Sequence, residues 1–338
     1  MDLNTIWFLL FGVLLIGYAI LDGFDLGVGI LHLFTRGERE RRINLNAIGP
    51  VWDGNEVWLL TGGGALFAAF PVVYATVFSG FYLALMLLLV FLILRAVSLE
   101  FRSKVEAPGW RAAWDWCFGL GSLVPVLLFG VALGNILRGI PIDQAGNFTG
   151  TFLGLLNPYS LLVGLLSVAM LTMQGAAYLV IKTEGDQQAF VKAWLNRAWM
   201  AFVVLYLAAT VATFFVSPSL FAGLLGNPIF WVLLVLLLGS LIYVPIGVKG
   251  GKPLVTFLAT SAVVLCVVGY CGLSLYPRLV PSSLNPEWSL TIYNAASTPR
   301  TQTVMLVIAL IGMPLVIAYT AFIYHAFKGK VVLGKDSY

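Results

Sequence analysis

Two acidic pairs lie inside apolar stretches of this sequence. Asp22 and Asp25 sit in Ile16-Gly17-Tyr18-Ala19-Ile20-Leu21-Asp22-Gly23-Phe24-Asp25, and Asp53 and Glu56 sit in Trp52-Asp53-Gly54-Asn55-Glu56-Val57-Trp58. An ionised, unpaired carboxylate inside a membrane span costs several kcal/mol, so four of them demand an explanation. Residues three apart share a helix face, and each pair therefore points one way. Carboxylates clustered at low dielectric cannot all ionise. A group in such a cluster can take up and release protons near neutral pH, which is the chemistry of a proton or cation path. Arg95 is the natural counter-ion, Glu100 follows it in the same stretch, and Asp115 stands in the next apolar stretch.

The elements that hold these residues are membrane helices. The chain is 60% hydrophobic and only 10% charged, against roughly 25% charged in a soluble domain, and its mean hydropathy is +0.96. The net charge of +4 is not a nucleic-acid signature, because the basic residues sit in short connections between apolar segments. The first apolar stretch is too long for a signal h-region and lacks a basic n-region, so no cleavable signal peptide is expected. A span needs about 20 apolar residues. Nine are predicted, at about 3–33, 51–70, 72–100, 112–137, 157–181, 197–217, 228–248, 254–276 and 303–327. Only Phe70-Pro71 separates the second from the third, which predicts a tight hairpin.

Lys and Arg orient the spans. Arg36, Arg39, Arg41 and Arg42 lie in the first connection; alternate connections then hold Arg102, Lys104 and Arg111, Lys182, Lys192 and Arg197, and Lys249 and Lys252. The tail adds Lys328, Lys330 and Lys335, while the opposite side has only Arg138, Arg278 and Arg300. This asymmetry predicts an outside N-terminus and a cytoplasmic C-terminus. Both acidic pairs then fall at the cytoplasmic edge, where all four carboxylates could meet Arg95 and Glu100. The predicted fifth to eighth spans carry no acid or base, and Gln174 is their most notable polar residue. Function inside the membrane therefore belongs to the N-terminal half.

Structural roles compete for the same residues. Asp53 and Glu56 have capping-box spacing, and Asp115 could cap the fourth span. Asp22 and Asp25 lie at the end of their helix where the macrodipole disfavours negative charge, so Arg95 or proton handling must offset that cost. Gly23, Gly27, Gly29, Gly62, Gly63 and Gly64 suggest close helix packing. Cys117, Cys266 and Cys271 form no CxxC pair and read as apolar packing residues. His32 and His325 are the only histidines; both are placed at the cytoplasmic membrane edge as interfacial residues, and no arrangement of ligands within the spans favours haem. The 10 Trp, 13 Tyr and 23 Phe read mainly as interfacial belts.

These runs resemble subunit II of the cytochrome bd-type quinol oxidases. The resemblance rests on Leu21-Asp22-Gly23-Phe24-Asp25-Leu26-Gly27-Val28-Gly29 and on Gly49-Pro50-Val51-Trp52-Asp53-Gly54-Asn55-Glu56-Val57-Trp58. Gly63-Gly64-Ala65-Leu66-Phe67-Ala68-Ala69, Trp114-Asp115-Trp116, Asn157-Pro158, Gln174-Gly175-Ala176 and Pro281-Ser282-Ser283 extend it over almost the whole chain. It implies an all-α polytopic membrane protein of the bacterial cytoplasmic (inner) membrane, with two four-helix bundles and one peripheral ninth helix. The bundles would occupy 1–137 and 157–276, with outside connections at 138–156 and 277–302 and the ninth helix and tail at 303–338. It implies a partner, subunit I, which ligates two b haems and one d haem and oxidises quinol. It further implies that Asp53 stands at the proton entrance with Asp25 and Asp22 beside it. Some members carry His where this chain has Val51, so a relay through that His is not carried over. Some members also bind a structural quinone in this subunit, and a small single-span accessory subunit is a further possible partner beside membrane lipids.

The expected function is thus the second subunit of a quinol:oxygen oxidoreductase. The complex would build membrane potential without pumping, with no catalytic residue and no haem ligand or metal site in this chain. Asp53, Asp25, Asp22, Glu56, Arg95 and Glu100 form the expected proton path, supported by Trp52, Asn55 and Asp115. The rivals are an ion-coupled secondary transporter, which predicts inverted repeats and a midplane site, and a purely structural assembly subunit.

Overall fold

The computed structural model describes residues 2–334; Lys335, counted above with the basic tail, lies outside them. The helices are α1 (Leu3–His32), α2 (Glu38–Ile48), α3 (Trp52–Ala69), α4 (Pro71–Gly80), α5 (Tyr82–Phe101), α6 (Pro108–Arg138), α7 (Pro158–Lys182), α8 (Gly185–Val216), α9 (Pro228–Lys249), α10 (Pro253–Leu275) and α11 (Pro299–Ala326). A short antiparallel pair, β1 (Arg278–Val280) and β2 (Leu290–Thr291), lies between α10 and α11. Six helices open on proline, which has no N–H to leave unpaired in a first turn and a φ already suited to it. Side-chain caps complete several starts: Asp2 accepts from the Thr5 N–H at 2.7 Å, and Asn157 accepts from that of Ser160 at 3.0 Å.

Eight helices among the described residues are long and apolar enough to cross a membrane: α1 and α5 to α11. Helices suit that environment because each satisfies its backbone polar groups internally. The second expected span corresponds to α3, which has 18 residues and carries Asp53, Glu56 and three consecutive glycines, so it falls outside that set. The third expected span, 72–100, is not one helix. It divides at Phe81 into the ten-residue α4 and the long α5. The expected tight hairpin at Phe70-Pro71 is likewise absent. Phe70 N–H still bonds Leu66 and Tyr74 N–H bonds Phe70, so one helix follows the other with no loop between them. As a result α3 packs on α1 and α11, while α5 packs on α6. α4 lies against the connection after α6, where the Thr76 hydroxyl donates to the Gly146 carbonyl at 2.7 Å.

Two other expectations need correction. The first connection is not a bare loop but holds α2, which buries Asn44, Leu45, Ala47 and Ile48. α8 begins at Gly185, well before the predicted 197, so Lys192 and Arg197 ride on a helix. The Arg197 guanidinium lies 5.4 Å from the Trp194 ring centroid, an attraction that suits an interfacial edge.

α1 and α7 run through the middle of the packing: α1 touches α3, α6, α7 and α10, and α7 touches α1, α6, α8 and α10. Their crossing is at Gly27 and Gly175. A Cβ on Gly27 would run into the Leu171 carbonyl and the Gly175 backbone, and one on Gly175 would run into Gly27 and Val28. Backbone faces backbone, so no rotamer change can relieve an added side chain. Gly175→Leu is expected to cost at least about 3 kcal/mol, the upper end for overpacking. Gly239→Leu, where nothing stands within 4 Å, should cost little. Thermal midpoints of the two purified variants in detergent test this; equal midpoints would refute the close crossing.

The connections sort to two ends. One end holds α2, the turn between α5 and α6, and the tail, and we term it the basic end. The other holds residues 139–157 and 276–298, joined through Ile140, whose N–H bonds the Pro281 carbonyl at 3.1 Å and whose carbonyl accepts from Ser283 at 2.9 Å.

Candidate functional site

The half of α1 nearest the basic end is enclosed on all sides, and Asp22 and Asp25 are both fully buried. Arg95 of α5 meets Asp22 as a two-pronged pair, Nη2 to Oδ1 at 2.6 Å and Nη1 to Oδ2 at 3.1 Å. A planar fork on a carboxylate is the strongest form of such a bond. Arg95 reaches this position because Gly121 of α6 has no side chain: a Cβ there would stand 2.8 Å from the Arg95 backbone nitrogen. The Arg95 Nε and the Tyr18 hydroxyl, one turn before Asp22, are buried without a hydrogen-bond partner.

Asp25 has a different partner. Its Oδ2 accepts from Asn55 Nδ2 at 2.7 Å, and Asn55 Oδ1 accepts from the Tyr324 hydroxyl of α11 at 3.0 Å. The other oxygen, Oδ1, is buried and has no hydrogen-bond partner. The two aspartates on one helix face are therefore not equivalent. One is locked into an ion pair; the other keeps a free oxygen within a polar group that continues into Tyr324.

The remaining expected residues surround this centre. Glu56 is half-buried and within electrostatic reach of Arg95, Asp22 and Asp53. Asp53 and Glu100 are exposed and Trp52 is half-buried. The capping readings do not hold. The residue before α3 is Val51, with no side-chain cap, and Asp53 lies inside the first turn. α6 begins at Pro108 after Ala107, which leaves Asp115 two turns into the helix.

Asp115 instead anchors a second cluster that spacing did not reveal. It accepts from His32 Nε2 at 2.6 Å, Arg41 Nη1 at 2.7 Å and Arg102 Nε at 2.5 Å. Arg102 also pairs with Glu38 at 2.9 Å, and Arg111 meets Glu38 at 3.0 Å. Burial raises the Glu38 carboxyl, but the Arg102 and Arg111 guanidinium groups outweigh it and hold Glu38 below the usual carboxylate range. His32 is thus not exposed on the surface. It is buried, edge-on to Phe118 at 5.1 Å between ring centroids. Arg102 is fully buried too, although it reads in sequence as a solvated loop charge. The available signal was the coincidence of a lone intramembrane acid with three basic residues at one edge.

His32 Nε2 is engaged by Asp115 and its ring is enclosed, while His325 is exposed near the end of α11. No group of three or more His, Cys, Asp or Glu among the described residues could hold a metal ion.

The family model described as cytochrome bd terminal oxidase subunit II matches residues 3–327. The chain belongs to that family. It is 38% identical over 360 residues to the cytochrome bd-I ubiquinol oxidase subunit 2 of Escherichia coli (strain K12), covering 97% of this chain and 95% of the relative. It is 36% identical over 332 residues to the cytochrome bd ubiquinol oxidase subunit 2 of Bacillus subtilis (strain 168), covering 98% of this chain and 97% of the relative. The structure of bd oxidase from Geobacillus thermodenitrificans superposes with a TM-score of 0.79 at 20% identity, covering 97% of this chain and 99% of that chain, which shows a shared fold. As a bd oxidase subunit II with eight long apolar helices, the chain is a multi-pass protein of the bacterial inner membrane and a subunit of a respiratory oxidoreductase.

Proposed function

We propose that this subunit II conducts protons from the cytoplasm toward a haem-bearing subunit I that oxidises quinol and reduces oxygen to water. The basic end faces the cytoplasm, α3 serves as a ninth, polar span, and the N-terminus is outside. The haems, two b and one d, belong to the partner and supply the electron transfer and oxygen chemistry. This chain's residues handle protons. Exposed Asp53 admits them, and half-buried Glu56 stands between it and the interior, with Glu100 a secondary acid. Asp25 exchanges them through its free oxygen. Asp22 with Arg95 supplies a fixed, neutral-overall ion pair that sets the local field. Trp52, Asn55 and Asp115 hold the helix ends that carry these groups. Protons consumed from the inside build a membrane potential without pumping.

The observation that carries this reading is Asp25: a fully buried carboxyl with one oxygen bonded and the other free, beside an acid already neutralised by Arg95. Burying an acid with an unpaired oxygen costs stability, which a purely structural subunit has no reason to bear. A secondary transporter would place such a group at the midplane between repeats; here it stands in the half of α1 nearest the basic end.

Asp53→Asn is expected to lower quinol-driven oxygen consumption at least about a hundredfold, the lower end of the range for removal of a proton-transferring side chain, while haem spectra stay normal. Full turnover with full haem content would end the role for Asp53. Loss of haem would make it structural.

A further inference from the structure

α11 looks like a bystander. No residue of its most apolar window is buried, and Gln302 is its one buried residue. Its end nevertheless reaches the acid site through Tyr324, which donates to Asn55 Oδ1 at 3.0 Å. An amide offers one accepting oxygen and one donating nitrogen. Nδ2 is claimed by two acceptors, the Leu21 carbonyl at 3.5 Å and Asp25, so Oδ1 turns to Tyr324, whose hydroxyl bonds that oxygen and anchors the amide in place. That orientation turns Nδ2 toward Asp25 Oδ2, at 2.7 Å. The reversed amide would set its carbonyl against the carboxyl.

Tyr324 is itself held from two sides. Its ring stands edge-on to Phe24, 6.4 Å between centroids, and Phe24 stacks on Tyr178 of α7 at 4.0 Å. Just beyond it, the chain after α11 is strapped to the end of α7. Lys330 Nζ donates to the Thr183 carbonyl at 2.6 Å, Val331 N–H to that of Lys182 at 3.0 Å, and Lys182 Nζ to that of Phe327 at 2.6 Å. A cavity of about 280 Å³, walled by Val51, Tyr178 and Phe327 among others, lies beneath this strap. Val51 is one turn from Asn55, whose N–H bonds its carbonyl. The strap therefore fixes the end of an otherwise loosely packed helix next to the one amide that touches Asp25.

We infer that Tyr324 is a positioning residue for the proton site: acting through Asn55, it holds one oxygen of Asp25 and leaves the other free to exchange protons. This rests on the proton-path reading of Asp25 given above.

The test uses the intact oxidase complex with Tyr324→Phe, Asp25→Asn and the double variant. Tyr324→Phe removes only the hydroxyl. It is expected to lower kcat for quinol oxidation about fivefold, the equivalent of one hydrogen bond, with KM for quinol and the haem spectrum unchanged. Asp25→Asn should be slower still, and the double variant no slower than Asp25→Asn alone. Infrared difference spectra across a pH jump give a readout independent of turnover: the carboxyl band missing in Asp25→Asn should shift in Tyr324→Phe. An unmoved band, or a further slowing of the double variant below Asp25→Asn, overturns the inference. If Asp25→Asn is slow but Tyr324→Phe turns over normally, the inference falls and the proton path stands. If Asp25→Asn itself turns over normally, the proton path falls and takes this inference with it.

Discussion

Arg95→Met is expected to strip the membrane of folded subunit. The substitution keeps an extended side chain but leaves Asp22 fully buried without its ion-pair partner. Breaking a buried pair from one side costs about 3–5 kcal/mol, against a total stability of about 5–15 kcal/mol for a typical fold. Removing both partners is a different experiment, because no uncompensated charge remains. Arg95→Met combined with Asp22→Leu should therefore recover most of the lost yield and thermal midpoint. A double variant no more stable than Arg95→Met, or a single variant as stable as the parent, would show that the pair does not act as described.

Asp115→Ala is the second large effect. It leaves the buried Arg102 and His32, and the partly exposed Arg41, facing one another without their shared acid. The expected loss is again about 3 kcal/mol or more, read as a lowered thermal midpoint in detergent. Glu38 provides the internal comparison. It bonds two arginines, but its side chain is 45% exposed, and an exposed pair is worth about 0–1 kcal/mol. Glu38→Gln should thus shift the midpoint far less, and added salt should shrink its effect further. Equal effects for the two acids would refute the distinction between them.

The two clusters differ in how far the amino-acid sequence foreshadows them. Asp22, Asp25 and Arg95 announce themselves because charged residues interrupt apolar runs, and the bilayer makes each one expensive. Asn55 is anonymous by that criterion, since a neutral amide carries no such penalty. Tyr324 is one aromatic among many near a helix end and nothing in its spacing points to Asp25, 299 positions away. His32 misled for a related reason. A position at a membrane edge is compatible with exposure or burial, and the choice depends on α2 folding back to bring Arg41 against Asp115. The Phe70-Pro71 break misled because proline ends one helix and begins another equally well with a loop between them or without one. Only the Phe70 and Tyr74 backbone bonds distinguish the two.

By itself the sequence determined that this is a multi-pass helical membrane protein with acids inside its first apolar helix. Both conclusions follow from the cost of placing polar groups in hydrocarbon, a property of residue type and local spacing. Its motifs also determined the family, through runs in which residue type and spacing hold over nearly the whole chain. The tertiary structure decided which acid is neutralised and which is left with a free oxygen. It also decided that Asp115 gathers two arginines and a histidine and that the last helix reaches the acid site. Those outcomes depend on contacts between residues far apart in the chain. They are set by where Gly27, Gly175 and Gly121 let helices close, and by helix junctions that residue spacing does not encode.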